Sequence, residues 1–265
     1  MRQDIKAILV DVDDCLLPTN GELFSSFYTG LKSIKDRIHN ANRKQIYDGL
    51  NLYPQIVFCS GRDRNYIEAV SFFCGLPNCY SIIESGIALF NPTTKELILN
   101  PVLTAETKLA FETIRKERLP QILKKFPGLF DYPGNIINIA LERRYGSNTS
   151  IEECFKAIEA EVSDLVAQWL VAIHHSKIAV DISPASIDKA SGIKFFAEKT
   201  GIDPDQMLGI GDSRGDFPML KLAGYVGCPA NASEECKKLI QEKKGMIADD
   251  EYAAGVAQII ARFLY

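Results

Sequence analysis

The chain has 265 residues, of which 46% are hydrophobic and 24% are charged, and its formal net charge is −4. This composition is ordinary for a globular protein with one large or two modest domains. The acidic balance and the short charge runs argue against a nucleic-acid-binding surface, because binding to a phosphate backbone needs clustered Lys and Arg. Any phosphate group that the protein binds is therefore expected to be held locally.

The seven cysteines are scattered and include no C-x-x-C pair, so the sequence predicts neither a disulfide framework nor a zinc site. They are expected to be buried thiols in a reducing compartment. The N-terminal stretch MRQDIKAILVDVDD has too short an apolar run for a signal peptide, and no run of about 18 apolar residues occurs. We expect a cytoplasmic protein with no membrane partner.

Short apolar, β-branched runs alternate with helix-like segments in the first and last parts of the chain. This alternation predicts a parallel α/β sheet, in which ligands bind beyond the carboxyl ends of the strands. The predicted strands lie at 6–12, 54–60, 80–85, 206–212 and 223–228. The predicted helices lie at 23–40, 63–74, 189–200, 214–222 and 232–243.

The middle of the chain has a different pattern. It contains strand-like KELILNP, helical segments at 104–125 and 150–168, and the alternating run NIINIALE. It continues with WLVAIHHSKIAVDISP, which predicts two strands around a polar turn, while FPGLFDYPGN at 126–135 is the clearest long turn. Such a mixture indicates an α+β layer that is separate from the parallel sheet.

We therefore predict a two-domain α/β protein. Residues 1–87 and 184–265 are expected to form a three-layer, Rossmann-like core, and residues 88–183 an inserted α+β domain. Trp169 and the aromatic residues at 24, 27 and 28 are interpreted as core residues.

Carboxylates follow predicted strands at both ends of the chain. Asp11 and Asp13 lie two residues apart in AILVDVDD, so both are expected on one side of the strand end, and Asp212 and Asp216 lie in GDSRGD. If the two strands are neighbours, up to four carboxylates gather at one edge of the sheet. Oxygen-only clusters suit a hard ion such as Mg²⁺, which commonly bridges to a phosphate.

Further polar residues are typical of a phosphate site. Ser60 and Gly61 in CSGRD open a predicted helix whose free N–H groups attract anions, and Lys189 offers a compact cation. Arg62 is interpreted either as a contact to a substrate anion or as an ion-pair partner of Asp63. Phosphoryl transfer needs little beyond such positioning and charge neutralisation.

In this order, DVDDCL, CSGRD, Lys189 and GDSRGD resemble the four motifs of the haloacid dehalogenase superfamily of aspartate-nucleophile phosphatases. The runs ESGIALFNP, DISPASIDKASGIKFF, PANAS and AAGV look similar to its Cof-type and sucrose-phosphatase-like members, whose cap domain is inserted between the second and third motifs. The resemblance implies an Mg²⁺-dependent phosphatase, with a small phosphorylated metabolite, such as a sugar phosphate, enclosed between cap and core.

The resemblance also implies roles for individual residues. Asp11 would be the nucleophile that forms an aspartyl phosphate, and Asp13 the general acid and then the base, with its backbone carbonyl on Mg²⁺. The implied metal-site residues are Asp11, Asp13, Asp212 and Asp216. The implied phosphate-binding residues are Ser60 and Lys189, which would neutralise the transferring phosphoryl oxygens. Gly61 and Arg62 are further candidates for phosphate binding from their place in CSGRD.

The chain departs from the family pattern at a few positions. Asp14 and Cys15 stand where relatives usually have Gly and Thr, while Ser85 and Gly215 stand where many have Asn. None of these changes removes a core catalytic group. Asp14 adds a negative charge near the expected phosphate.

Other readings of the same residues remain open. A phosphomutase of this superfamily shares them. A phosphate-sensing or scaffold module is a third reading, in which Asp14 and Cys15 mark the loss of catalysis. A receiver domain also uses clustered Asp and a Lys, but it is much shorter and ranks last. The sequence does not determine the oligomeric state, nor which cap residues meet the leaving group. The cap candidates are His174, His175, Arg143 and Arg144, and adjacent strand residues face opposite sides.

Overall fold

The computed structural model describes residues 4–18, 54–74 and 79–264. The predicted helix at 23–40 and the aromatic residues at 24, 27 and 28 lie outside these ranges. The chain forms two compact units, of which one comprises Met1–Ile98 and Lys189–Tyr265 and the other Leu99–Asp188. No described helix combines the length and the apolar character that are needed to cross a bilayer.

The first unit is built on a fully parallel sheet of five described strands. These strands are β1 (Ala7–Val10), β2 (Gln55–Phe58), β10 (Met207–Ile210), β11 (Tyr225–Cys228) and β12 (Met246–Ile247). Their order is β12-β11-β10-β1-β2, with Val10 in register with both Ile210 and Phe58. Every residue of β1 is buried, as expected for a central strand that is covered on both faces.

Helices cover both faces of this sheet, which confirms the predicted α/β fold. Leu9 shares a hydrophobic cluster with Phe196, and Val10 and Val256 line one small cavity on the opposite face. This alternation follows from the two-residue period of a strand. The helices of the unit are α1 (Arg64–Cys74), α6 (Lys189–Thr200), α7 (Phe217–Leu222), α8 (Glu234–Glu242) and α9 (Tyr252–Leu264). Single 3₁₀ turns occupy Glu84–Gly86, Pro204–Gln206 and Arg214–Asp216.

The first unit includes a small second sheet. It has the order β3-β4-β5, formed by Ser81–Ile83, Ala88–Phe90 and Leu97–Leu99. Because β4 pairs antiparallel with β3, the chain stays with the first unit beyond residue 88. The division therefore falls at Leu99 and Asp188 and not at the predicted boundaries of 88 and 183.

The second unit packs helices onto an antiparallel sheet of order β6-β7-β9-β8. Its strands are β6 (Leu129–Asp131), β7 (Ile139–Arg143), β8 (Val171–His175) and β9 (Ala179–Pro184). Its helices are α2 (Ala105–Thr113), α3 (Leu119–Lys125), α4 (Ile151–Glu161) and α5 (Ser163–Ala167), and a π-helical segment (Ile114–Arg118) joins α2 to α3.

Two predictions for the second unit are wrong. The stretch 126–135 is not only a turn, because β6 lies within it and pairs with β7. Trp169 is not a core residue, because 72% of it is exposed and it occupies a left-handed turn with φ of 59° directly after α5. The local apolar pattern cannot distinguish a buried aromatic from one that a tight turn directs to solvent.

The contact between α6 and β3 generates a test of packing. A Cβ at Gly192 would lie 2.6 Å from the Cα of Gly86 and 2.7 Å from Cγ2 of Ile82. Gly192→Ala should therefore lower the free energy of unfolding by about 1–3 kcal/mol, although alanine is the better helix former. Urea denaturation measures this, with the exposed Lys194→Ala as control; equal midpoints for the two variants would contradict the packing argument.

Candidate active site

The candidate site lies at the carboxyl edge of the parallel sheet. Strand β1 pairs in parallel with both β2 and β10, so the residues that follow these three strands lie next to one another at the carboxyl edge of the sheet. Asp11 follows β1 directly, Ser60 lies two residues beyond β2, and Asp212 lies two residues beyond β10. All three side chains are buried. Distant parts of the sequence thus meet at the carboxyl edge, where open parallel sheets bind their ligands.

Three buried carboxylates form the centre of this edge. Oxygens of Asp11, Asp212 and Asp216 lie within 4.8 Å of one another. The Nζ of Lys189 donates to Oδ1 of Asp11 at 2.8 Å and to Oδ1 of Asp216 at 2.6 Å. One ammonium therefore faces three carboxylates, and these four residues are brought together by the fold.

The imbalance of charge changes the acidity of the cluster. Burial raises the pKa of Asp11 to about 7, and the negative charge of Asp216 adds to this effect while Lys189 opposes it. Burial and the charges of Asp11 and Asp216 raise the pKa of Asp212 to about 8. Burial alone would lower the pKa of Lys189, but the two carboxylates that it contacts raise it well above its usual value. The cluster is therefore short of positive charge.

Asp216 is held by its own loop. Its Oδ2 accepts hydrogen bonds from the backbone N–H of Asp212 at 3.0 Å and of Ser213 at 3.1 Å, and Ser213 completes a capping box with it. A Cβ at Gly211 would lie 2.5 Å from Cβ of Asp216, so this close approach requires glycine. The loop fixes Asp216 while leaving its Oδ1 for Lys189.

Asp13 is placed apart from the three carboxylates. Its Oδ2 accepts from Nε of Arg62 at 2.9 Å, and its Oδ1 accepts from Nη2 of Arg62 at 3.1 Å and from the hydroxyl of Tyr66 at 3.4 Å. The sequence left open whether Arg62 contacts a substrate anion or pairs with Asp63; Arg62 forms its ion pair with Asp13, and Asp63 caps α1 by accepting from the N–H of Asn65 at 2.7 Å. The side chain of Asp13 is thus not part of the group formed by Asp11, Asp212 and Asp216, and its implied metal contact, through the backbone carbonyl, stays a prediction.

The loop after β2 supplies the polar groups that the sequence associates with phosphate. Ser60 is buried, and its Oγ accepts from the backbone N–H of Arg62 at 3.2 Å. Its carbonyl accepts from the N–H of Ser85 at 2.9 Å, and Ser85 has a φ of 56°. Gly61 between them is exposed. The loop therefore has a fixed backbone with an open glycine at the start of α1.

Two further residues, Asn231 and Tyr66, contact the loop after β1. Asn231 donates from Nδ2 to the carbonyl of Asp14 at 2.6 Å and accepts from the N–H of Tyr252 at 2.9 Å, so it links the loop after β1 to the start of α9. Tyr66 contacts Asp13. No local sequence signal marks Tyr66, because Arg62 precedes α1, which begins at Arg64, and the contact with Asp13 joins residues 53 positions apart in the chain.

The departures at Asp14 and Cys15 are accommodated locally. Asp14 has a φ of 55°, a conformation in which Asp is tolerated better than most residues. Cys15 is a buried thiol that donates to the carbonyl of Ile210 at 3.6 Å. All seven cysteines are free and buried, which confirms the prediction of buried thiols.

In the second unit, His174 and His175 lie on β8, opposite Asp181 and Val180 of β9. The ring of His175 packs against Phe155 of α4, with centroids 4.7 Å apart. Adjacent strand residues face opposite sides, so His174 points to the face that lies away from Phe155.

The residues of the acidic cluster fit a hard divalent cation. All donors are carboxylate oxygens, which Mg²⁺ prefers. Oδ1 of Asp212 is buried, and the described part of the chain gives it no hydrogen-bond partner. A buried carboxylate oxygen without a donor is costly, and a bound cation would satisfy it. The candidate ligands are Asp11, Asp212 and Asp216.

Comparison with known proteins identifies the family. The haloacid dehalogenase-like hydrolase family matches residues 128–260, which is half of the chain. The chain belongs to the haloacid dehalogenase-like hydrolase family, and the predicted resemblance and the prediction of a hydrolase are confirmed.

Individual relatives agree with this assignment. A phosphoglycolate phosphatase from Methanospirillum hungatei is 43% identical over 79 residues, which is 30% of this chain and about a third (34%) of that protein. A phosphoglycolate phosphatase from Methanosarcina acetivorans is 29% identical over 264 residues, 96% of this chain and 95% of that protein. The sucrose-phosphatase of Synechocystis, solved with sucrose and phosphate, has a TM-score of 0.65 at 17% identity, covering 99% of this chain and 98% of that one. At this identity the structural likeness shows the fold.

The raised pKa values generate a test of the cation site. Asp11 and Asp212 titrate near 7 and 8 in the folded chain against 3.8 ordinarily, so the folded state binds more protons than the unfolded state in this window. Without metal, the free energy of unfolding contributed by these groups should fall as pH rises from about 4 to about 8. Because a cation binds the ionised carboxylates, Mg²⁺ should raise Tm more at about pH 8 than at about pH 5.

Thermal unfolding with and without Mg²⁺ at the two pH values measures this difference. Asp212→Asn should lose the Mg²⁺-dependent shift, and the exposed Asp249→Asn should keep it. An equal shift at both pH values, or one that survives Asp212→Asn, would argue against the site.

Proposed function

We propose that the protein is an Mg²⁺-dependent phosphatase that hydrolyses a small phosphate monoester through an aspartyl phosphate on Asp11. The observation that carries this proposal is the contact of Asp11 with Lys189 beside Asp212 and Asp216 at the end of a central strand. The relatives described above are named phosphatases, which supports a phosphorylated metabolite as substrate. This class includes the sugar phosphates that the sequence resemblance implies, and the second unit would contribute to specificity as a cap.

In the first step, an oxygen of Asp11 attacks phosphorus while the bond to the leaving oxygen breaks. Lys189 holds Oδ1 of Asp11 and leaves the second oxygen for this bond. Asp13 donates a proton to the departing alcohol. When bound, Mg²⁺ would neutralise charge on the phosphoryl oxygens and offset the repulsion among the carboxylates.

In the second step, Asp13 accepts a proton from water, which attacks phosphorus and releases inorganic phosphate and Asp11. Ser60 and the N–H groups at the start of α1 are proposed to bind phosphoryl oxygens, with Gly61 allowing close approach. Lys189 serves both steps, because its ammonium stays near the transferring phosphoryl group. It partly offsets the negative charge of Asp11 and Asp216, which would otherwise repel that group.

The role of Asp11 is tested by Asp11→Asn. The amide is a poor nucleophile, so turnover of an aryl phosphate with Mg²⁺ should fall by at least about a thousandfold. Asp249→Asn is the matched control, because it makes the same chemical change at an exposed position. Retained turnover in Asp11→Asn would contradict the assignment. Release of inorganic phosphate, as opposed to an isomerised sugar phosphate, separates a phosphatase from a phosphomutase.

The role of Asp13 is tested by leaving-group dependence. Asp13→Asn should lower kcat/KM by about a hundredfold for an alkyl phosphate and much less for a nitrophenyl phosphate, because a phenolate with a low pKa departs without a proton. The ratio kcat/KM reports the first step, so the later role of Asp13 as base does not obscure the comparison. Equal losses on both esters would show that Asp13 is not the acid.

A further inference from the structure

Both carboxylate oxygens of Asp13 are occupied by one guanidinium. Arg62 contacts Oδ2 through Nε at 2.9 Å and Oδ1 through Nη2 at 3.1 Å. The side chains are 27% and 25% exposed, so the pair is largely removed from solvent. A two-pronged contact of this kind is the strong form of an arginine–carboxylate interaction, and lysine cannot reproduce it.

The position of Arg62 is set by its surroundings. Its backbone N–H donates to Oγ of Ser60 at 3.2 Å, which ties it to the loop after β2. Its guanidinium lies 5.1 Å from the ring centroid of Tyr66, whose hydroxyl also reaches Oδ1 of Asp13. The ring and the loop hold the guanidinium beside Asp13, where it presents a surface shaped for a carboxylate.

This arrangement conflicts with the task of Asp13 in the proposed function. Asp13 must approach the leaving oxygen, yet both of its oxygens accept from Arg62. Breaking the pair without replacement would give up a two-pronged charged contact, which is unfavourable. A second carboxylate that takes the place of Asp13 on Arg62 removes this obstacle, because one charged pair is exchanged for another of the same kind.

The charge of the site also favours such an exchange. Of the cationic side chains in the described ranges, Lys189 and Arg62 contact the carboxylates of this edge, and Lys189 is already held between Asp11 and Asp216. The acidic cluster would repel an anionic leaving group, and among the described residues Arg62 is placed to receive it. The leaving oxygen must lie next to Asp13, so a carboxylate on the carbon that bears the ester oxygen is within the reach of the partner of Asp13.

We propose that Arg62 selects phosphate monoesters whose alcohol carries a carboxylate next to the ester-bearing carbon. Binding of that carboxylate displaces the Asp13 carboxylate from Arg62, and Asp13 then takes up a proton from solvent, which it donates to the leaving oxygen. Arg62 is thus a specificity-determining residue, and Asp13 occupies its site in the absence of substrate. This inference rests on the proposed function, since it assigns Asp13 to the leaving group.

The test compares two esters of equal size, phosphoglycolate and its carboxamide, phosphoglycolamide, which differ in the charge of one group. The wild-type chain should have a kcat/KM at least about tenfold higher for the carboxylate ester. Arg62→Gln should bring the ratio of the two kcat/KM values to within about twofold of one, and Arg62→Lys should give an intermediate ratio because it keeps charge without the two-pronged contact. Arg64→Gln, at an exposed position two residues further along, should keep the wild-type ratio.

Two results with these esters would overturn the inference. One is a wild-type ratio near one. The other is a wild-type ratio that survives Arg62→Gln; if the variant loses the same factor on both esters, Arg62 is a fixed support for Asp13. A neutral sugar phosphate as the best substrate of a panel would overturn it as well. Circular dichroism verifies that each variant folds. If Arg62→Gln does not fold, the kcat/KM ratio of Arg62→Lys is the test of the inference. Absence of turnover with every monoester would reject the proposed function itself. Turnover without a preference for the carboxylate ester would reject the inference about Arg62 alone.

Discussion

The site depends on the contact of one buried ammonium with two buried carboxylates. Lys189 bridges Asp11, which follows the first strand, and Asp216, which lies 205 residues later in the chain. Without a cation at this point, the carboxyl edge of the sheet would hold like charges out of water, which is strongly unfavourable. The ammonium makes the cluster possible but does not neutralise it, so the fold retains a preference for further positive charge.

The two acids of AILVDVDD have different surroundings although they are two residues apart. Asp11 is buried among carboxylates and Lys189, whereas Asp13 is partly exposed and bound to Arg62 and Tyr66. Placing two carboxylates in different environments is how a single site can assign a nucleophile and an acid from the same residue type. Here the environments come from different elements, because α6 supplies Lys189 and α1 with its preceding loop supplies Arg62 and Tyr66.

Close backbone contacts keep this arrangement rigid. Gly211 admits the side chain of Asp216, Gly192 lets α6 approach the turn at Gly86, and Asn231 ties the loop after β1 to α9. None of these residues carries the chemistry. Each restricts the conformation of a loop or helix that carries a candidate catalytic residue. Displacing such a residue by about an ångström is enough to reduce the rate of catalysis strongly.

The sequence by itself determined the alternation of strands and helices, the family, and the residue types that follow the strands, because apolar periodicity and short polar motifs are local properties. The bounds of α6 at 189–200 were predicted to the residue, and β1 and β10 to within about three residues. Only the tertiary structure decided that Arg62 pairs with Asp13 and not with Asp63, that β4 extends the first unit beyond residue 88, and that Trp169 is exposed. These outcomes depend on which segments become neighbours in space, and on the charges that they bring to each other, which no local pattern records.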